Sequence, residues 1–150
     1  MTWQIFDRFR LRQNNGNSVN LDVPGGNGFK IAIITSTLAP DQNLHDFWSD
    51  LSANEVSGTN YTAGGNLCAT PSITGPDAAG LCTFDAADPA TWPQSASGFS
   101  NGRYAILYRD SGTGSTSELV AYEDFVTDKG NVAGDFSITL DAAGIFTLPR

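Results

Sequence analysis

Short apolar runs separated by turn residues dominate the hydrophobic pattern of this chain. The clearest run, Phe29–Thr35, is apolar and β-branched and ends at a break over residues 36–40, which is typical of a strand deep in a core. Similar runs occur at 19–23, within 61–69, and at 81–84, 103–109, 119–122, 136–140 and 145–148. We therefore predict about eight short strands in a sandwich or barrel.

Two local elements stand out within this pattern. The runs at 103–109 and 119–122 are joined by turn-forming residues at 111–115, which predicts a β-hairpin. Further upstream, Asp41 is placed to cap a short helix in which Leu44, Phe47, Trp48 and Leu51 recur at helical spacing. We expect this to be the only substantial helix of the chain.

The first 18 residues fit two different elements. Phe6, Arg8, Arg10 and Arg12 would share one face of a strand, whereas Ile5, Phe6 and Phe9 cluster at helical spacing. We treat 1–18 as an N-terminal arm or short helix and 19–150 as the β-sandwich domain. The predicted fold is all-β, a single-domain, jelly-roll-like β-sandwich with one short helix near residues 41–51.

Size and charge narrow the possible partners. A chain of 150 residues provides one domain, and no stretch approaches the roughly 18 apolar residues of a membrane helix. The N-terminus lacks the layout of a signal peptide, so we expect a soluble protein made in a cytoplasm, without a membrane partner. A net charge of −8 also argues against binding nucleic acid.

The charge is unevenly distributed along the chain. Residues 1–30 hold four basic and two acidic side chains, although the whole chain has twice as many acidic as basic residues. Two interpretations remain open at this point. The N-terminal segment could face an acidic neighbour, or its three arginines could simply solvate one exposed face.

The residue types that most enzymes need are sparse. Cys68 and Cys82 lie on predicted strands where a cross-strand contact is possible, but free thiols are expected in a reducing cytoplasm. With His45 as the single histidine, they are too few for a structural zinc site, so we expect no metal and no cofactor. No nucleophile elbow occurs. Six carboxylates could supply a glycosidase pair, although a solvated acidic surface explains them equally: Asp85, Asp88, Glu118, Glu123, Asp124 and Asp128.

Several short motifs occur in an order that resembles a known family. They are residues 29–36, 45–50, 54–65 and 103–108, together with Trp92, Asp124-Phe125, 136–138 and Gly144-Ile145. In this order and spacing the chain resembles a family of small structural proteins encoded among the head and tail genes of tailed bacteriophages. The block at 54–65 is the most specific, and it departs from the pattern at Asn60, where a second glycine is expected before Tyr61.

The resemblance implies a non-enzymatic virion component. It would be a cement or decoration protein on the capsid exterior, bound to the major capsid protein and to further copies of itself as a dimer or trimer. The alternative is a tail-associated module that binds a receptor or carbohydrate. Because aromatic residues and arginine commonly anchor interfaces, we predict contacts through these side chains: Trp3, Phe6, Arg8, Arg10, Arg12, Trp92 and Phe99.

Overall fold

The computed structural model of the protein describes residues 1–17 and 19–149 and consists mainly of two antiparallel sheets. The elements occur along the chain as β1 (Gln4–Ile5), α1 (Asp7–Asn14), β2 (Phe29–Thr35), β3 (Asn66–Cys68), β4 (Ser72–Thr74), β5 (Leu81–Asp85), β6 (Gly102–Arg109), β7 (Glu118–Lys129) and β8 (Phe146–Pro149). The larger sheet has the order β1-β7-β6-β2-β3 and the smaller one β4-β5-β8.

The predicted all-β fold is confirmed, and so is the hairpin. Strands β6 and β7 pair antiparallel from Arg109 opposite Glu118 onward. The sheets hold five and three strands, and this strand order does not establish the jelly-roll connectivity that the sequence suggested. The run Phe29–Thr35 forms β2, which pairs with β6 on one side and β3 on the other, as expected for a strand buried in the core.

Aromatic rings join the two sheets and the helix. Phe29 of β2 and Phe84 of β5 meet with their ring centroids 5.1 Å apart, and Phe84 also contacts Phe146 of β8. Phe9 of α1 reaches the same cluster, since its ring lies 6.2 Å from that of Phe146. The helix therefore covers one part of the core that the sheets share.

The predicted helix near residues 41–51 is wrong. This segment contains turns followed by two single-turn 3₁₀ helices, Trp48–Asp50 and Ser52–Asn54. The carboxylate of Asp41 accepts the N–H groups of Asn43 and Leu44, and that of Asp50 accepts those of Asp46 and Phe47. The bonds to Asp41 are those of a helix N-cap, and they close one turn in which the His45 N–H donates to the Asp41 carbonyl. The helix does not continue because Asp50 takes the N–H groups of Asp46 and Phe47, and Phe47 forms an isolated β-bridge with Glu118. The α-helix of the described chain is α1, one of the two forms we considered for the N-terminal segment.

Alternating patterns predicted burial better than they predicted strands. In 19–23 and 136–140 the apolar positions are mostly buried and the intervening polar ones mostly exposed, yet neither segment forms a strand. At Leu140 the backbone N–H donates to the side chain of Asp88 instead of to a neighbouring strand. The alternation shows that each segment lies between core and solvent, and it contains no information about a pairing partner.

Within residues 1–17 and 19–149, no helix is long and apolar enough to cross a membrane.

A buried polar side chain, that of Asn131, connects the loops at one end of the larger sheet. Asn131 accepts the N–H of Phe99 at 2.9 Å and donates to the carbonyls of Pro93 and Thr59 at 2.8 and 3.2 Å. One amide thus satisfies three backbone groups, of which one lies in the loop before β3 and two lie in the loop between β5 and β6.

We expect Asn131→Ala to lower the free energy of unfolding by about 3 kcal/mol, because it removes three hydrogen bonds of a fully buried amide and leaves the N–H of the buried Phe99 without this partner. Urea denaturation measures the change. Asn101→Ala is the matched control, since Asn101 is exposed, and it should change stability by less than about 0.5 kcal/mol. Similar losses in both variants would contradict this role of Asn131.

Candidate functional site

Four of the seven side chains predicted to contact a partner are buried. Phe6 and Trp92 are fully enclosed, and Trp3 and Phe99 are nearly so. Trp92 stacks on Tyr61 with the ring centroids 6.1 Å apart, and Phe99 lies edge-on to the same ring at 5.4 Å. The prediction that these aromatic side chains present a contact surface is therefore wrong, because packing in the core already uses their apolar area.

The three predicted arginines lie on α1 and differ in their surroundings. Arg12 forms an ion pair with Asp46 at 2.6 Å and stacks on the ring of Phe47 at 4.8 Å. Arg8 and Arg10 are exposed, as is Leu11, which follows Arg10. Arg12 attaches the helix to the 41–50 segment, whereas Arg8 and Arg10 remain accessible.

Most other cations of the chain are neutralised internally. Lys30 pairs with Asp110 at 2.8 Å, Arg103 with Asp124, and Arg109 with Glu118 at 3.8 Å. Among residues 1–17 and 19–149, this leaves Arg8, Arg10 and Lys129 without an ion pair. Two of these three lie on one helix of a protein with a net charge of −8, so α1 concentrates the available positive charge.

Two grooves border α1, and Arg10 lines both of them. The first, which we call the α1 groove, has a volume of about 410 Å³ and is lined by Arg10, Gln13, Asn14, Val19, Leu21, Ile73, Cys82, Leu148 and Pro149. Most of these side chains are apolar. The second has about 470 Å³ and runs between the N-terminal residues, Gln42 and the segment before β8. We call α1 with these grooves the α1 surface.

The sequence did not point to the α1 groove. Ile73, Cys82 and Leu148 project from the three strands of the smaller sheet and line the groove together. Phe84 of the same sheet is buried in the core, while these three side chains are only partly covered. The groove is thus the open end of the space between the layers. The only sequence feature related to this groove was the alternation at 19–23, which indicated that Val19 and Leu21 face the core.

The block at 54–65 forms a half-buried polar network. One carboxylate oxygen of Glu55 accepts the Tyr61 hydroxyl and the Gly64 N–H, both at 2.7 Å. The Tyr61 oxygen accepts the N–H of Ile33 at 2.9 Å, and the Tyr108 hydroxyl donates to the carbonyl of Gly64 at 2.7 Å. These bonds fix the loop over strand β2.

Backbone conformation explains two further residues of this block. Asn60 has φ of +64°, in the left-handed region, where asparagine is tolerated and glycine is favoured. Asn60 therefore meets the same conformational demand as the glycine expected there. At Gly65 a Cβ atom would lie 2.0 Å from the carbonyl oxygen of Ile31, so only glycine fits against β2.

Burial controls the ionisation of this network. It raises the pKa of Glu55, against the lowering effects of the bonds from Tyr61 and Gly64. Burial likewise raises the pKa of Tyr61 and of Tyr108, so both remain protonated hydrogen-bond donors. The hydroxyls and the carboxylate are all occupied by one another or by backbone, and their geometry holds a loop in place.

His45, Cys68 and Cys82 lie in separate surroundings within the described part of the chain. His45 is buried, and its Nδ1 accepts the N–H of Asp41 at 3.0 Å. Cys68 and Cys82 are free thiols on strands of different sheets, so the possible cross-strand contact does not occur. Burial raises the pKa of Cys68 to about 12, whereas Cys82 is partly exposed in the α1 groove.

Several of the six carboxylates considered for hydrolysis also have structural partners. Glu118 and Asp124 pair with arginines. Asp88 accepts the N–H of Leu140 at 2.7 Å, and Asp85 accepts that of Ala86 at 2.8 Å. These four carboxylates therefore have structural partners within the described chain.

Comparison of the chain with family models, with curated proteins and with solved structures finds no match. The geometry of the α1 surface is therefore the basis for inferring a partner.

Substitution of Glu55 tests the polar network at 54–65. Its folded-state pKa is raised, so its contribution to stability is greatest at low pH and is lost as pH rises through that pKa. We expect Glu55→Gln, which keeps the acceptor oxygen and removes the charge, to unfold at higher urea than the wild type at about pH 7. The difference should shrink as pH falls toward about 4.

Glu55→Ala is the comparison, because it removes the acceptor as well as the charge. It should be less stable than the wild type at every pH, since the Gly64 N–H and the Tyr61 hydroxyl lose their acceptor. A pH-independent difference between Glu55→Gln and the wild type would contradict a raised pKa for Glu55.

Proposed function

We propose that this chain is a non-enzymatic virion structural protein. It acts as a cement or decoration protein that binds the outer surface of a phage capsid, with the major capsid protein as its partner, and stabilises the shell. The observation that carries this proposal is the outer face of α1. There Arg8 and the 52% exposed Leu11 project from an otherwise acidic molecule.

Helix geometry separates the outer face from the groove. At about 100° per residue, Leu11 lies nearly opposite the buried Phe9, and Arg8 lies about 60° from Leu11. Arg10 lies on the other side, where it lines the grooves. Arg8 and Leu11 thus form a small patch that combines a free positive charge with apolar area, a common composition for an interface anchor.

The helix is held firmly enough to act as an anchor. The N–H of Phe6 donates to the carbonyl of Val120 of β7 at 3.0 Å, and the N–H of Asp7 donates to the carbonyl of Gln42, also at 3.0 Å. With Arg12 paired to Asp46, both ends of α1 are attached to the sandwich. Binding through a rigid helix loses little conformational entropy.

Stabilisation of the shell follows from linkage. A protein that binds the assembled lattice better than free subunits shifts the equilibrium toward the lattice. The contact is repeated at every equivalent position, so a modest affinity per copy suffices. A net charge of −8 also disfavours attachment to nucleic acid, which agrees with a position on the exterior.

A tail-associated, carbohydrate-binding module has less support in the structure. Such a module stacks sugar rings on exposed aromatic side chains. All three tryptophans are buried, with Trp48 stacked on Tyr108 at 4.8 Å and Trp92 enclosed by Tyr61 and Phe136. The rings that would form the sugar platform are thus part of the core.

We expect Arg8→Glu combined with Leu11→Asp to weaken binding to purified shells of the major capsid protein by about tenfold or more. Cosedimentation of the protein with the shells measures this. Lys129→Glu is the matched control, because it reverses the third unpaired basic side chain of the described residues, which lies at the end of β7 away from the pairing with β1. Its binding should remain close to that of the wild type.

Electron microscopy of particles carrying the protein provides a second readout. Density distributed over the shell agrees with the proposal, and density confined to the tail would refute it. Unchanged shell binding by the α1 variant would instead show that another surface makes the contact.

A further inference from the structure

The second half of β7 contains an exposed and strained protrusion. Asp124 lies opposite Tyr104, and Lys129 lies opposite Gly102. Four residues of β7, at 125–128, therefore face a single residue of β6, so the segment bulges out of the sheet. We call Val126, Thr127 and Asp128 the β7 tip; all three side chains are exposed.

Val126 is an unusual residue at this position. Its φ is +65°, in the left-handed region, where a β-branched side chain is strained. The side chain is 70% exposed, so packing in the core does not offset this strain. Glycine or asparagine would adopt the same backbone with less strain. Local geometry alone thus gives no reason for valine.

The tip is nevertheless held in one shape. The carboxylate of Asp124 accepts the N–H of Val126 at 2.7 Å and pairs with Arg103 through two hydrogen bonds. Phe125 packs edge-on against Phe136 with ring centroids 5.7 Å apart. An apolar side chain and the acidic Asp128 are therefore presented to solvent on a fixed loop.

The α1 groove is complementary to the β7 tip in shape and in charge. Its walls include the partly covered apolar side chains of Ile73 and Leu148, and Arg10 at its edge has no ion pair among the described residues. The tip offers one apolar side chain beside a negative charge. The groove offers an apolar wall beside a positive charge.

We propose that the β7 tip of one copy docks in the α1 groove of a second copy. Val126 packs against Ile73 and Leu148, and Asp128 pairs with Arg10. The two surfaces are different parts of the chain, so the contact is head-to-tail and links copies into rings or rows. It goes beyond the shell-binding role and does not depend on it, because it uses the groove side of α1 and not its outer face.

The contact is small, and its affinity in free solution is correspondingly low. It gains strength when copies are held next to one another on a common support, since the second contact is then effectively intramolecular. A test on the isolated protein must therefore trap a transient complex.

Cys82 lines the α1 groove and makes such a trap possible. In Val126→Cys, mild oxidation of the concentrated protein should join the introduced thiol of one copy to Cys82 of the next. Non-reducing electrophoresis should show a ladder, and peptide mapping should identify this linkage. Cys68 is almost completely buried, so it contributes no competing bond.

Two controls separate this contact from random collision. Val126→Cys combined with Cys82→Ser should give no ladder. Leu44→Cys replaces a side chain of nearly equal exposure, 71% against 70%, on a different surface and should not link to Cys82 above background. Absence of the ladder in Val126→Cys, links only between the introduced thiols of two copies, or equal linking by Leu44→Cys would each overturn the proposal.

A charge exchange tests the ion pair in the same assay. Adding Arg10→Glu to Val126→Cys should reduce the yield of the Cys82 linkage by about tenfold, because the introduced carboxylate repels Asp128. Adding Asp128→Arg as well should restore it. Urea denaturation confirms that the variants remain folded. Failure of the double exchange to restore linking in folded protein would exclude the proposed pairing. The assay contains no capsid shells, so its result is independent of the cement role.

Discussion

The burial of β2 is the constraint on which the rest of this structure depends. Ile31, Ala32, Ile33 and Ile34 are all completely buried, so both faces of the strand must be covered. Phe84 and its neighbours in the smaller sheet cover one part. The loop at 54–65 approaches so closely that residue 65 has no space for a Cβ atom. A strand buried on both sides thus requires a layered fold around it.

Irregular segments provide much of that cover, and this creates a demand for internal hydrogen bonds. Backbone groups in a loop that lies against a core have no ladder to satisfy them, and each unpaired group is costly. Glu55 and Asn131 meet this demand on different loops, each with several bonds to backbone or hydroxyl groups. The half-buried Glu55 and the fully buried Asn131 therefore serve the architecture of the protein.

Ion pairs within the fold determine which basic side chains remain available to a partner. Lys30, Arg103 and Arg109 are paired with acidic side chains near the strands that carry them. Arg12 is paired and stacked where α1 meets the 41–50 segment. Among the described residues, two of the three basic side chains that these internal contacts leave unpaired, Arg8 and Arg10, therefore lie on α1, and the third is Lys129 at the end of β7. This is why we assign the binding of an acidic or mixed partner to the helix, and why Arg8 and Arg10 can serve different partners on its two sides.

The sequence by itself determined most of the buried positions along the runs, although Val23 and Leu67 are exposed, together with the β6–β7 hairpin and the all-β class. These follow from local alternation and turn residues, which act over a few neighbours. Tertiary structure decided the rest. Asp41 caps a single turn, and the helix expected at 41–51 does not continue because Phe47 forms a β-bridge with the distant Glu118 and Asp50 bonds the N–H groups of Asp46 and Phe47. Phe9, in contrast, packs in the sheet-joining cluster and so supports α1. Contacts between distant segments determine that Trp92 and Phe99 are buried in the core and that Arg10 has no ion pair among the described residues. The hydrophobic pattern of a chain records how much each residue avoids water, and it does not record which partner removes that residue from water.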